Sequence, residues 1–241
     1  MGTTTNGVRA YVANMDDGSV SVIDPSIDSV IDTITTDIGT APQAVAISPD
    51  GSKVYVGNVI SGGISVIDTA TNLVTATVTD VRVESDTVSL AISPNGQRLY
   101  VADSGYRVHA YNTPDNSYAG STAANGGEIP QMVVTPDSTT LIVPTYAGSV
   151  SNGAARTFDT AGFNTVGENP LLQNIFMSLA SAAGVAINPA YPAYVLTSFG
   201  MGGNPTIYEL SKVTGPPGAP AAPRGGRRRY DRDRELGAAR Q

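Results

Sequence analysis

The sequence predicts an all-β chain of four-stranded antiparallel blades that recur about five times, the arrangement of a β-propeller. Three phased markers carry that expectation. The first is Tyr11 in Arg9-Ala10-Tyr11-Val12-Ala13-Asn14, which returns as Tyr55, Tyr100, Ile142 and Tyr194 at steps of 44, 45, 42 and 52 residues. The second precedes it: Ile47-Ser48-Pro49-Asp50-Gly51, Ile92-Ser93-Pro94-Asn95-Gly96, Val134-Thr135-Pro136-Asp137 and Ile187-Asn188-Pro189. The third follows it: Ser21-Val22-Ile23-Asp24, Ser65-Val66-Ile67-Asp68, Ala110-Tyr111-Asn112, Thr157-Phe158-Asp159 and Ile207-Tyr208-Glu209. A fixed period of 40–45 residues with four short strands is the signature of a blade.

The unit at 43–79 resolves into four short strands. Ala44–Ser48, Lys53–Gly57, Ile64–Asp68 and Leu73–Val78 are the four strands. Pro-Asp-Gly between the first two suits a tight hairpin, because Pro presets φ and Gly supplies a positive one. Asp68 to Asn72 makes the next turn, where Asp and Asn side chains bond nearby amides. The apolar Val-Ala-Ile strand reads as buried on both faces, and the mixed Ser-Val-Ile-Asp strand as lying farther out. On the same pattern the blades span about 8–38, 43–79, 88–120, 130–166 and 184–211.

Tyr-Val-Ala-Asn, Ser-Pro-Asp-Gly and Val-Ser-Val-Ile-Asp in that order resemble the YVTN β-propeller repeat family. The resemblance is close over 8–112, fades over 113–210 and does not reach 215–241. It implies a ring of about seven blades and an exported or surface-exposed setting, with no particular reaction attached. No secretory signal is legible at the N-terminus. The fold follows from such a match far more firmly than an activity does.

Two features depart from the repeat. Asn169 to Gly184 reads as an insertion, with Leu171, Leu172, Ile175, Phe176 and Leu179 on one helical face, Asn169 as N-cap, Pro170 at the first position and Gly184 as the stop. This predicts a short helix near 170–183 lying on the ring, or docking on a partner or membrane surface. The strands also do not complete a ring: the chain opens at a second strand (Val8–Asn14) and its last strand, Thr206–Leu210, is a third. Either five blades close with degenerate outer strands or strands are missing, and the second reading is favoured.

Residues 215–241 are rich in Pro and Gly and hold seven arginines against three carboxylates, so the net charge of −7 conceals a more acidic body. The tail reads as disordered. Its abrupt change of composition suggests a segment out of phase with the original gene, which sequencing the locus would decide; Arg227-Arg228-Arg229 is alternatively an electrostatic contact for an acidic surface or nucleic acid. An acidic body repels phosphate backbones, so nucleic acid is an unfavoured partner. No stretch has the roughly 18 apolar residues that span a bilayer.

Chemistry is sparse. The chain has no cysteine and one histidine, His109, which excludes thiolate nucleophiles and multi-His metal centres. His109 in its third strand reads as structural. Asp24, Asp50, Asp68, Asp137 and Asp159 recur at blade positions and read as turn chemistry. No phosphate-binding Gly loop or nucleophile elbow occurs, and no cofactor is expected.

A binding site, if present, lies on the loops joining second to third strands (14–19, 58–63, 103–107, 145–154 and 198–205) and on the blade connections, since loops on a rigid scaffold carry function. Asp86, Asp103, Tyr106, Arg107, Glu128 and Tyr146 are the candidate contacts. The leading expectation is a non-catalytic scaffold or surface-recognition module for a protein or glycan, with oligomeric state open. The alternative is a metal-dependent propeller hydrolase or lactonase with oxygen ligands such as Asp86 and Glu128, and a further one is a fragment without independent function.

Overall fold

The computed structural model describes residues 2–4, 7–79, 87–124, 128–145, 154–164, 171–176, 181–187, 193–199 and 206–211. The tail at 215–241 therefore lies outside the described residues, as do Asp86 and Tyr146. The chain is all-β, with no α-helix among the described residues.

Five antiparallel meanders follow one another. Sheet 1 comprises β1 (Gly2–Thr4), β2 (Gly7–Asn14), β3 (Ser19–Asp24) and β4 (Ser29–Ile34); sheet 2 comprises β5 (Pro42–Ile47), β6 (Lys53–Asn58), β7 (Ile64–Asp68) and β8 (Leu73–Val78). Sheet 3 holds β9 (Thr87–Ile92), β10 (Arg98–Asp103), β11 (Arg107–Asn112) and β12 (Tyr118–Ala123). Sheet 4 holds β13 (Val133–Val134), β14 (Thr140–Thr145), β15 (Ala154–Asp159) and β16 (Leu171–Phe176). Sheet 5 has three strands, β17 (Ser181–Ile187), β18 (Ala193–Phe199) and β19 (Thr206–Ser211). Strand neighbours in every sheet are sequence neighbours, and each sheet packs on the next in chain order.

The expected helix near 170–183 is a correction. Leu171–Phe176 is the fourth strand of sheet 4, pairing with Ala154–Phe158, and Ser181 already begins β17. The residues between Asp159 and β16 open with a 3-10 turn at Thr160–Asn164, so the fourth strand comes later than the repeat period placed it. A short isolated helix is marginal in water, whereas β15 offers a row of backbone groups that must be paired. The tertiary edge outweighs the helical spacing of the leucines. The chain also does not open at a second strand. Gly2–Thr4 pairs with Gly7–Arg9, closed by Gly7 at φ 99°, a conformation glycine adopts without steric cost.

Burial is distributed differently from the sequence expectation. The second strands β6, β10 and β14 are buried at five of their six positions, whereas the first strand β5 is only half-buried. A second strand has strands on both edges and sheets on both faces, while β5 has a strand on one edge only. The third strand β7 is likewise buried apart from Asp68 at its end.

The sheets pack by one rule. Tyr11, Val20 and Val22 on one face of sheet 1 meet Val54, Val56 and Ile67 of sheet 2. Tyr55, Ile64 and Val66 on the corresponding face of sheet 2 meet Leu99, Val101 and Tyr111 of sheet 3. Tyr100, Val108 and Ala110 of sheet 3 meet Leu141, Val143 and Phe158 of sheet 4. The first-named side of each contact is the forward face and the second the rear face. Alternation along β2, β6, β10 and β14 assigns successive residues to opposite faces, so one strand feeds two cores. Burial pushes the Tyr100 phenol up to about 12, in keeping with its place in the sheet 3 core.

Turn chemistry repeats with the blades. Ser48 Oγ donates to Asp50 Oδ1 at 2.6 Å and accepts from Lys53 N at 2.9 Å, while Asp50 Oδ1 accepts from Ser52 N at 3.1 Å. Ser93, Asn95, Gln97 and Arg98 reproduce this pattern, as do Thr135, Asp137, Thr139 and Thr140. Gly51 and Gly96 hold the left-handed position at φ 69° and 70°, and Ser138 holds it in sheet 4 at 59°. The recurrent aspartates are thus loop closures, in line with their recurrence in the sequence.

These carboxylates make stability fall in acid. The Ser48 hydroxyl and then the Ser52 amide hold Asp50 below the usual aspartate range; Ser26 does the same for Asp24 and Ser117 for Asp115. A depressed folded-state pKa means that the stabilisation is complete above the unfolded value, about 4, and is lost as pH falls through the lower folded value. Urea midpoints are therefore expected to hold steady from pH 7 to about 5 and to drop below about 4. An Asp50→Asn, Asp24→Asn, Asp115→Asn triple variant should show a shallower drop. An equally steep one would remove these turns as the cause.

A second repeated latch was not legible beforehand. Thr69 Oγ1 donates to the Gly51 carbonyl at 2.7 Å and Thr160 Oγ1 to that of Ser138 at 2.7 Å, with Thr113 bonding Gly96 likewise. Each threonine follows a third strand and ties it to the hairpin of the first two. Thr69→Val keeps the shape but leaves a buried carbonyl with one fewer donor, so it is expected to cost about 1 kcal/mol in chemical denaturation. A change indistinguishable from zero would show that water replaces the hydroxyl.

Candidate functional site

The turns joining second to third strands leave the sheets at one end, and they differ from sheet to sheet. In sheet 1 the turn exposes Met15, Asp16 and Asp17; in sheet 2 it exposes Ile60 and Ser61; in sheet 3 it exposes Ser104, Gly105 and Tyr106. Met15, Ile60 and Tyr106 are large apolar side chains held in water at corresponding places on three successive sheets. Opposite them, the hairpins of first and second strands share one hydrogen-bond pattern. At that end a cleft runs between Ser48–Lys53 and Pro94–Gln97, lined also by Tyr55, Thr113 and Pro114.

The turn of sheet 3 is the most constrained. Asp103 Oδ1 accepts from Arg107 N at 2.8 Å, Tyr106 N donates to the Asp103 carbonyl at 3.2 Å, and Ala124 N donates to the Tyr106 carbonyl at 2.8 Å. These bonds hold Tyr106 at φ 62°, a left-handed conformation that a bulky residue adopts at a cost of about 1–3 kcal/mol. The result projects the phenol into solvent beside Arg107, whose Nη2 donates to Ser121 Oγ at 3.1 Å.

Beneath that turn lies a buried pair. His109 Nε2 stands 2.9 Å from Asp103 Oδ2, and both residues are buried. A carboxylate only accepts, so the ring presents Nε2–H to it. His109 Nδ1 is buried with no hydrogen-bond partner among the described residues. Strand register explains the pair. Asp103 occupies the position of Asn14 and Asn58, and His109 that of Ser21 and Ser65. There, Asn14 Nδ2 donates to Ser21 Oγ at 2.9 Å and Asn58 Nδ2 to Ser65 Oγ at 3.1 Å. The latter also anchors the link from sheet 1, since Gly39 N donates to Ser65 Oγ at 3.3 Å. Gly39 leaves room for this contact: a Cβ there would lie 2.5 Å from Asn58 Cγ, so the Asn58 side chain would have to shift. Sheet 4 places Thr145 and Arg156 at the same two positions, and desolvation holds the Arg156 guanidinium below its ordinary pKa.

Of the sequence-derived contacts, Tyr106 and Arg107 are exposed on the sheet 3 turn, and Glu128 is exposed on the connection into sheet 4 beside buried Ile129. Asp103 is buried and faces inward. Asp86 and Tyr146 fall outside the described residues. Sequence reasoning passed over Met15 and Ile60, which lie in the turns it named; an apolar residue among turn formers was the available signal. Among the described residues no group of three or more His, Asp or Glu is arranged to hold a metal ion, and no helix is long and apolar enough to cross a membrane.

The fold defines an all-β repeat protein of successive antiparallel sheets. No family model matches the sequence, and no curated protein does. Its structure is similar to a chain of hydrazine synthase from Kuenenia stuttgartiensis, a propeller-containing protein, with a TM-score of 0.73 at 19% identity. The likeness covers 87% of this chain and 61% of that one, so this chain spans about three fifths of the length of the protein it resembles. At that identity the likeness concerns the fold alone.

Proposed function

We propose that the chain is a non-catalytic β-propeller recognition module of the YVTN repeat kind, binding a protein or glycan across the end that carries Met15, Ile60, Tyr106 and Arg107. The observation that supports this most is the contrast between the two ends. Hairpins of uniform design close one end, while the other exposes an apolar or aromatic side chain on each of three successive sheets. Methionine, aromatic residues and arginine are enriched where proteins meet, and a tyrosine kept in a strained backbone conformation supports a role in contact. Tyr and Arg also suit the apolar face and hydroxyl edge of a sugar. The resemblance to a family with many surface-exposed or exported members supports a surface setting.

The test is a panel of immobilised glycans and surface proteins probed with the chain and with a Met15→Ser, Ile60→Ser, Tyr106→Ser variant. The variant is expected to melt like the parent and to lose about 100-fold or more in affinity for any retained ligand, since anchor residues at an interface centre contribute several kcal/mol together. A ligand bound equally by both proteins would refute the assignment. So would saturable micromolar calcium or zinc binding that Asp86→Asn and Glu128→Gln abolish, because that outcome restores the metal-dependent hydrolase.

A further inference from the structure

We infer that the cleft between the first hairpins of sheets 2 and 3 binds a small zwitterion, an α-amino acid in its free form. The cleft encloses about 300 Å³, at the small end of what ligand sites occupy. It is built from the uniform hairpins and not from the variable turns, so it is a site apart from the Met15, Ile60 and Tyr106 surface. The residue that points to a ligand is Tyr55. It lines the cleft at 1% exposure, and its phenolic oxygen is buried with no hydrogen-bond partner among the described residues. In sheet 1 the neighbouring sheet supplies one: Tyr11, at the same repeat position, donates to Asn72 Oδ1 of sheet 2 at 3.1 Å. Asn116 holds the place of Asn72 in sheet 3, at φ 57° against 56°, but makes no such bond to Tyr55. A buried hydroxyl left unpaired is costly, and in a native fold it calls for a partner. Burial, and after it the Asp50 charge, raise the pKa of this phenol, so it stays protonated and is available as a donor.

The other groups on the cleft fix the chemistry of that partner. Among the described residues the half-buried Lys53 makes no ion pair through its ammonium, and the Gln97 side chain makes no hydrogen bond. Asn95 uses only its oxygen, which accepts from Ser93 Oγ at 2.7 Å and Gln97 N at 3.0 Å, so its amide nitrogen is free to donate. With Tyr55 these groups place several unused donors around one small site. That set complements a carboxylate, whose two oxygens offer about four lone-pair sites. Asp50 supplies the opposite sign. Its Oδ1 accepts from Ser48 Oγ and Ser52 N, whereas Oδ2 accepts from Ser52 Oγ at 2.8 Å and keeps a lone pair for an ammonium. A positive and a negative group on one hairpin suit a ligand that carries both signs itself. A simple anion meets the Asp50 carboxylate, a simple cation meets Lys53, and an uncharged sugar leaves both charges unmatched. Pro49, Pro94 and Pro114 add apolar walls for a short side chain.

Calorimetry with free glycine, L-alanine, L-serine and L-valine tests this site. At least one is expected to bind saturably at about 1 mM or tighter. The N-acetyl derivative of the best binder lacks the ammonium and its amide lacks the carboxylate; each should bind about 10-fold or more weakly. Tyr55→Phe and Lys53→Met should each weaken binding by about 10-fold as well. Without ligand, Tyr55→Phe should leave the urea midpoint unchanged or raised, because the hydroxyl it removes has no partner in the chain. The Met15→Ser, Ile60→Ser, Tyr106→Ser variant should bind the amino acid as the parent does, so this site and the recognition surface fail separately. No saturable binding below about 10 mM overturns the inference. A derivative bound as well as the free amino acid, or an affinity indifferent to either Tyr55→Phe or Lys53→Met, does the same. So does a lowered urea midpoint for Tyr55→Phe, which would show the hydroxyl already bonded within the chain.

Discussion

Val56→Asp is expected to destabilise the chain by about 4 kcal/mol or more, enough to unfold sheets 1 and 2 at room temperature. Val56 sits at the middle of β6 and is fully buried against Tyr11, Val20 and Val22 of sheet 1. Removing the side chain from that core forfeits about 1.5–3 kcal/mol of burial, and the carboxylate would stand in an apolar contact with no donor beside it. The same substitution at Val12 is expected to shift the dilute protein's stability by no more than about 0.5–1 kcal/mol, because water already reaches that residue. Urea titrations followed by circular dichroism compare the two directly. Equal losses at the two positions would mean that the rear face of sheet 1 is covered in solution by the chain itself. A mild effect at Val56 would contradict the forward-on-rear packing of the sheets.

The second large effect concerns the buried pair under the Tyr106 turn. Asp103→Ala leaves both nitrogens of a buried imidazole without a partner, and His109→Ala strips the carboxylate of its side-chain donor. Each is expected to cost about 3 kcal/mol. The double substitution Asp103→Asn, His109→Ser installs the Asn–Ser contact found in sheets 1 and 2, and should recover most of that loss. Recovery of stability together with unchanged ligand binding would define the pair as a structural variant of the repeat. A double variant no more stable than either single one would show that Asp and His are required here for a reason the repeat does not contain.

Fold and site were unequally legible in the residues. Tyr11, Tyr55 and Tyr100 return at an almost constant interval, and the interval alone implies a blade, because four short strands and their turns occupy about that length. The Ser-Pro-Asp-Gly hairpins were equally readable, since side-chain oxygens two and five residues from the amides they accept from act locally. Leu171–Phe176 was misread because helical spacing of apolar residues is also compatible with a short edge strand. The choice belonged to β15, some fifteen residues away in sequence. The Asp103–His109 contact was hidden for a related reason. The two residues were read as a loop contact and a structural histidine, and only the register of β10 on β11 brings them together.

Local chemistry and periodicity thus determined the all-β character, the repeat and the design of its hairpins, since these depend on residues within a few positions of one another. Tertiary structure decided which face of each sheet is covered, what Leu171–Phe176 becomes, where His109 finds its partner and that Met15, Ile60 and Tyr106 stand exposed in their turns. Those outcomes depend on what packs opposite. A side chain's own sequence neighbours do not specify whether Val12 meets a sheet, as Val56 does, or meets water.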